Sequence, residues 1–304
     1  MLRAENLTKR FDGVAAVDAL DLEVRRGEVF GFLGPNGAGK TTTIRLLSAL
    51  IAPTSGTAEI AGYRLGRDDA RIRSVVGVLT EHPGLYERLP ARENLDFYGR
   101  LYGLPERVRA ERVERFLRLM GLWERRDDPV ATYSRGMKQK VAIARAALHH
   151  PEVIFLDEPT TGLDPDAAKT VRDLVLALRD EGRTVFLCTH NLDEADRLCD
   201  RIALFRRRVI RVDTPANLRR EVYGAWTEIR LRQARPEHLR RILAVDGVRN
   251  ASLYDSTLRV DLDDPLRTNP AVVRALVEAG ADVAFVNEGR PSLEDVYLRI
   301  MEAR

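Results

Sequence analysis

Three features of the sequence predict an α/β protein with antiparallel β and helical subdomains over residues 1–220, followed by a small α+β domain over 221–304. The first is a glycine-rich stretch, Gly34-Pro35-Asn36-Gly37-Ala38-Gly39-Lys40-Thr41. It lies between the apolar run Val29-Phe30-Gly31-Phe32-Leu33 and a helical pattern over 42–50. The second is Val153-Ile154-Phe155-Leu156, an unbroken apolar run of the kind found in strands covered on both faces, which ends in Asp157 and Glu158. The third is a restart of the pattern past Arg220. A chain of 304 residues is long enough to bury two cores.

Composition narrows the function. Against 46 acidic residues stand 49 basic ones, and the net charge of +3 is too small to argue for nucleic acid. The few lysines among many arginines reflect codon usage rather than a function. Cys188 and Cys199 are too few for a disulfide framework and too far apart for a Cys-x-x-Cys site, which fits a reducing cytosol. No N-terminal stretch has the form of a signal peptide, and no segment approaches the ~20 apolar residues of a membrane span. A membrane role is therefore expected to come through a partner.

In chain order, residues 2–30 alternate short apolar runs with the turn signals Asp12-Gly13 and Arg26-Gly27, the pattern of antiparallel strands. Phe11 stands on one of them, as core packing or as a face for an adenine ring, with core the reading that spacing favours. After the first helix come a turn at Pro53-Thr54-Ser55-Gly56, a strand over 57–62 and an apolar run over 75–79. Over 91–122 the apolar residues recur at three and four, giving amphipathic helices separated at Pro105. They form a helical insertion over about 82–150, closed by a helix over 138–150 that Pro151 ends. A helix over 165–180, a strand over 184–188 and a helix over 192–199 complete the first part. Arg206-Arg207-Arg208 reads as a solvated turn between strands. Beyond it, strands over 227–232, 248–254, 258–262 and 282–286 and helices over 236–245 and 271–280 give β-α-β-β-α-β. Ser292 caps a closing helix.

The glycine-rich stretch fits G-x-x-x-x-G-K-[ST], the phosphate-binding P-loop, and sits between strand and helix as its mechanism requires. Its glycines let backbone N–H groups approach phosphate oxygens, and the helix N-terminus adds partial positive charge. Lys40 is expected to reach the β- and γ-phosphates and the Thr41 hydroxyl to ligate Mg²⁺. A merely structural turn would not need both Lys and Thr at those places. Thr42, at the helix start, joins Gly34 through Thr41 as the expected phosphate contact set.

At this point the residues resemble the ATP-binding cassette (ABC) family of transporter ATPases. The likeness spans roughly residues 2–220. Beyond the P-loop, it rests on Tyr133-Ser134-Arg135-Gly136-Met137 as signature loop, Asp157-Glu158 as the Walker B end, Gly162-Leu163-Asp164 as D-loop and His190 as switch histidine. The resemblance implies a P-loop NTPase cassette of the ABC type, with ATP and Mg²⁺ as cofactors. Two cassettes would face head to tail, as a homodimer or a paired cassette, and ATP would lie between one P-loop and the other's signature loop. It further implies Asp157 and Thr41 at Mg²⁺, Glu158 polarising the attacking water, His190 at the γ-phosphate, and Ser134, Arg135, Gly136 and Asp164 in the nucleotide set with Phe11. Glu81 occupies the place of the family's usual Gln near the metal. Arg135 and Met137 replace the usual Gly and Gln of the signature.

The ending Pro291-Ser292-Leu293-Glu294-Asp295-Val296-Tyr297 is similar to the tails of drug- and lipid-export ATPases of the daunorubicin-resistance type. The resemblance thus implies the ATPase subunit of an exporter, peripheral on the cytoplasmic face of the membrane and working with a separate transmembrane permease. The C-terminal domain, which shows no glycine-rich or nucleophile pattern, reads as regulatory or dimer-supporting. A soluble ABC ATPase acting outside transport is the alternative. It usually carries two cassettes, long coiled coils or zinc-binding cysteines, and none is present. A nucleotide-binding scaffold without turnover is a third reading, against which Glu158 and His190 argue.

Overall fold

The computed structural model describes residues 1–80, 84–289 and 291–302. Glu81 lies outside them. The chain divides into two compact units, Met1–Thr214 and Pro215–Arg304.

In the first unit, β1 (Leu2–Phe11) and β2 (Val14–Val24) form an antiparallel hairpin. Asp12 and Gly13 both take left-handed φ (47° and 81°), which matches a tight turn to the twist of its strands. Then follow β3 (Val29–Leu33), α1 (Lys40–Leu47), β4 (Ser55–Ile60), β5 (Tyr63–Arg64), α2 (Asp69–Val75) and β6 (Val76–Leu79). The helical insertion holds α3 (Ala91–Leu101), α4 (Glu106–Leu119) and α5 (Arg135–Ala147). After it come β7 (Val153–Asp157), α6 (Pro165–Asp180), β8 (Thr184–Thr189), α7 (Leu192–Leu198), β9 (Arg201–Arg206) and β10 (Arg208–Asp213).

Two sheets result. The antiparallel one runs β2-β1-β4-β5, and the other runs β10-β9-β3-β8-β7-β6. In the second, β9, β3, β8, β7 and β6 are parallel and β10 is an antiparallel edge. Every residue of β3, β7 and β8 is buried, the reason these strands read as continuous apolar runs. The core against them is aromatic: Phe32 meets Phe205 at 4.3 Å and Phe186 at 5.2 Å between ring centroids, and Phe155 joins at 5.4 Å from Phe186. Each fully buried phenylalanine contributes about 1.5–3 kcal/mol, so this cluster is a large share of what fixes the P-loop's base.

The insertion folds for reasons visible in its residues. Leu95 of α3, Val113, Phe116 and Leu117 of α4, and Val141 and Ile143 of α5 are its buried stripe. Pro105 sits at the N-terminal boundary of α4, where its missing N–H costs nothing. Buried Asn94 accepts from the Tyr86 N–H (2.8 Å) and donates to the carbonyls of Tyr86, Leu89 and Pro90, tying the preceding loop to α3. α5 begins at Arg135 rather than at the expected 138, because Ser134 Oγ accepts from the Met137 N–H and starts the helix earlier.

The second unit opens with α8 (Pro215–Tyr223), so its boundary falls a little before residue 220. β11 (Ala225–Leu231), α9 (Pro236–Leu243), β12 (Val248–Tyr254), β13 (Thr257–Leu262), α10 (Pro265–Glu278) and β14 (Val283–Glu288) follow in the β-α-β-β-α-β order expected, closed by α11 (Leu293–Glu302). The sheet is antiparallel, ordered β12-β13-β11-β14, with a core of Ile229, Ile242, Leu258, Val260, Val272 and Leu276. α10 starts at Pro265, before the expected 271, because Asp264 Oδ1 caps it by accepting from the N–H groups of Leu266 and Arg267. Arg206 and Arg208 flank the β9–β10 turn at Arg207 (φ 60°), and Arg208 pairs with Asp18 at 2.6 Å.

Candidate nucleotide site

A cavity of about 840 Å³ opens where β3 and β7 end. β3 hands the chain to the glycine-rich loop, and Gly39 begins α1 with φ 105°. Two of the glycines are dictated by close approach. A Cβ on Gly34 would stand 2.2 Å from the Phe205 carbonyl oxygen, and one on Gly39 would stand 2.2 Å from that of Ala16. The loop therefore wraps tightly at the start of a helix, the kind of place where backbone N–H groups bind anions.

The charged groups converge on that cavity. Lys40, only 6% exposed, donates from Nζ to the Gly34 carbonyl at 2.7 Å and stands 3.4 Å from Glu158 Oε1. The Thr41 hydroxyl donates to Asp157 Oδ2 at 2.6 Å, across 116 residues of sequence. Glu158 takes left-handed φ (49°), and its N–H donates to the Cys188 carbonyl at 2.9 Å. Strain of this kind in a residue that is not glycine is found at working sites. Glu158 Oε2 accepts from the Thr161 hydroxyl at 3.1 Å and lies 2.9 Å from His190 Nδ1. β7 and β8 thus deliver Asp157, Glu158 and His190 at the carboxyl end of a parallel sheet, where open α/β sheets bind ligands.

The donor set suits a hard divalent cation. A hydroxyl and a carboxylate within hydrogen-bonding distance of each other are oxygen ligands of the type Mg²⁺ takes. Among the described residues no group of three His, Cys, Asp or Glu side chains is placed to hold a metal alone. A cation here would share its coordination with phosphate oxygens and water.

Of the residues singled out in the sequence, Pro35 through Thr42, Arg135, Asp157, Glu158 and His190 line the cavity, with Gly34 behind it. Ser134, Gly136 and Asp164 lie outside the lining. Ser134 caps α5 and Asp164 caps α6, its Oδ1 accepting from the Ala167 N–H at 2.8 Å. A Cβ on Gly136 would stand 3.3 Å from that of Ala167, and one on Gly162 would meet the Arg135 guanidinium at 2.7 Å, so the signature loop and the D-loop pack on each other. Phe11 is not core: it is 49% exposed, with Lys9 Nζ 5.1 Å from its ring centroid, and Ala16 rather than Phe11 lines the cavity. The edge of a hairpin leaves one face of its last residue to water, which spacing alone does not reveal. Ala16, Tyr133, Lys138, Gln139 and Thr161 also line the cavity. Tyr133 opens the signature loop already named, whereas Ala16, Lys138, Gln139 and Thr161 belong to none of the motifs and were not singled out.

Glycine loop, helix dipole, buried lysine and paired carboxylates on a parallel sheet define a P-loop nucleoside-triphosphatase. A family profile described as ABC transporter matches residues 17–161. The Daunorubicin resistance ATP-binding protein DrrA3 of Streptomyces coeruleorubidus is 38% identical over 98% of this chain and 95% of its own length. The Bacitracin transport ATP-binding protein BcrA of Bacillus licheniformis is 32% identical over 99% of this chain and 97% of its own. Among solved structures, an ATP-binding subunit of an ABC transporter superposes with a TM-score of 0.69 at 33% identity, over 74% of this chain and 94% of the other. A dimeric, post-hydrolysis cassette bound to ADP and Pi does so with 0.65 at 26%, over 70% of this chain and 98% of the other. The chain belongs to the ABC transporter family, as an ATP-binding subunit with ATPase activity. The soluble, non-transport alternative is set aside.

Proposed function

We propose that this subunit powers export of a drug-like or lipid-like molecule by a separate transmembrane permease, from the cytoplasmic face of the membrane. Relatives named for daunorubicin resistance and for bacitracin transport support a drug-like cargo. Among the described residues no helix is long and apolar enough to cross a membrane. The observation that carries the mechanism is the convergence of Lys40, Thr41, Asp157, Glu158 and His190 on one cavity.

Lys40 and the N–H groups of the loop bind the β- and γ-phosphates. Thr41 and Asp157 would hold Mg²⁺, which would supply neutralisation of charge on the phosphates. Glu158 orients and polarises the attacking water, and His190, held against its carboxylate, contacts the γ-phosphate. Ser134 and Gly136, outside this chain's own cavity, serve the nucleotide of a second cassette docked head to tail. Catalysis is then mostly positioning and charge stabilisation, completed when two copies close.

Closure is the part to test. Glu158→Gln keeps the phosphate contacts and removes the base, so this variant should elute as a dimer in ATP and as a monomer without nucleotide. A monomer in saturating ATP, with binding confirmed calorimetrically, would refute the head-to-tail arrangement.

A further inference from the structure

Glu194 belongs to none of the motifs, yet it is 4% exposed and lies one hydroxyl away from Glu158. It stands in the first turn of α7, where its N–H donates to Asn191 Oδ1 at 3.1 Å. Its Oε2 is 3.3 Å from Thr189 Oγ1, and the same Thr189 Oγ1 is 3.4 Å from Glu158 Oε2. Thr189 is 1% exposed and also accepts the Asn191 N–H at 3.0 Å. Glu194 Oε1 is buried and meets no donor at hydrogen-bond geometry. We propose that Glu194 is a positioning residue that acts through the Thr189 hydroxyl to hold the Glu158 carboxylate in its working orientation.

The proton count makes the case. A hydroxyl offers one proton and two lone pairs. Were both carboxyls ionised, they would compete for the one Thr189 proton, and two like charges would face each other across it. With Glu194 neutral, the proton and both lone pairs of the Thr189 hydroxyl are used. Glu194 donates its O–H to Thr189 Oγ1, which also accepts the Asn191 N–H and gives its own proton to Glu158 Oε2. The surroundings favour that state: burial pushes the Glu194 carboxyl up, as does the charge of Glu158. The Thr160 and Thr189 hydroxyls and Arg172 of α6 pull in the other direction, but the net direction is upward. Both contacts are long, as catalytic hydrogen bonds often are before reactants bind. Lys40 faces Glu158 Oε1, and Oε2 also meets His190 Nδ1 and the Thr161 hydroxyl, so Thr189 adds a buried contact to an oxygen held from two other sides.

The inference rests on Glu158 as the base, and its test separates the two. Steady-state ATP turnover is measured on the full chain for Glu194→Ala, Glu194→Gln, Thr189→Val and the pair Glu194→Ala with Thr189→Val. Glu194→Ala should lower kcat about ten- to a hundredfold and leave the KM for ATP within about threefold, the pattern of a lost transition-state interaction. Glu194→Gln should stay within about threefold of the parent, because its amide can also donate to Thr189. Thr189→Val should match Glu194→Ala, and the double variant should be no slower than either single one. Parental kcat in Glu194→Ala, a Glu194→Gln as slow as Glu194→Ala, or additive losses would overturn the proposal. If Glu194→Ala does not fold, Thr189→Val decides, since it is close in shape, and parental turnover there overturns it. Parental turnover in Glu158→Gln would instead remove the base assignment itself.

Discussion

In the first unit β7 and β8 are buried along their whole length, whereas in the second β13 alternates and β14 is exposed over most of its own. The difference follows from what covers the sheets. Parallel strands joined by helical crossovers are covered on both faces, so polar groups are driven to their ends. That is how Asp157, Glu158 and His190 come to one edge beside the P-loop. An antiparallel sheet can leave one face in water and makes no such collection, and the cavity described above is lined wholly by the first unit. ATP binding should therefore be sensitive to strand-end residues of the first unit and indifferent to the second.

The largest expected effect is at Lys40. Replacing it with alanine removes a charge-assisted contact to the phosphates and leaves Glu158 without its cation, so ATP binding should fall below detection in a calorimetric titration. Unaltered affinity would break the assignment of the loop.

Next is the boundary. Ending the chain at Thr214 should give a folded protein that binds ATP with the parental affinity, since the cassette has its own core. Dimerisation of the Glu158→Gln background should weaken in the shortened form if the second unit supports it. A shortened chain that folds but no longer binds ATP would dissolve the contrast between the units.

The smallest effect is on acid stability and is local to the helical insertion. His149 stacks on Tyr102 with ring centroids 3.7 Å apart, and its Nε2 donates to the Val76 carbonyl at 3.0 Å. Burial pushes its pKa down to about 4. The unfolded chain takes up that proton near pH 6.5, so stability is complete above that pH and declines as pH falls towards about 4. Melting temperature measured across this window should drop less steeply in His149→Asn. An identical slope in both proteins would place the acid sensitivity elsewhere.

Much of this was legible because chemistry dictates residue type. Phosphate binding needs Gly34, Gly39, Lys40 and Thr41 in a fixed spacing, and a doubly covered strand announces Asp157 by the apolar run before it. What was not legible depends on long-range placement. Ala16 and Gln139 reach the cavity from segments with no motif for it. Glu194 looks like any acid in a first helical turn, where the helix dipole welcomes one. Only its burial beside Thr189 sets it apart. The starts of α5 and α10 were misplaced because Ser134 and Asp264 cap them from outside the periodic run.

The central claim is that Glu158, held between Lys40 and His190, is the base of an ATPase whose binding site stands without it. ATP affinity and ATP turnover measured on the same preparation of Glu158→Gln test this most directly. The account predicts parental affinity with turnover lowered by about two to four decades, the range of a lost general base. Parental turnover with parental affinity would contradict it.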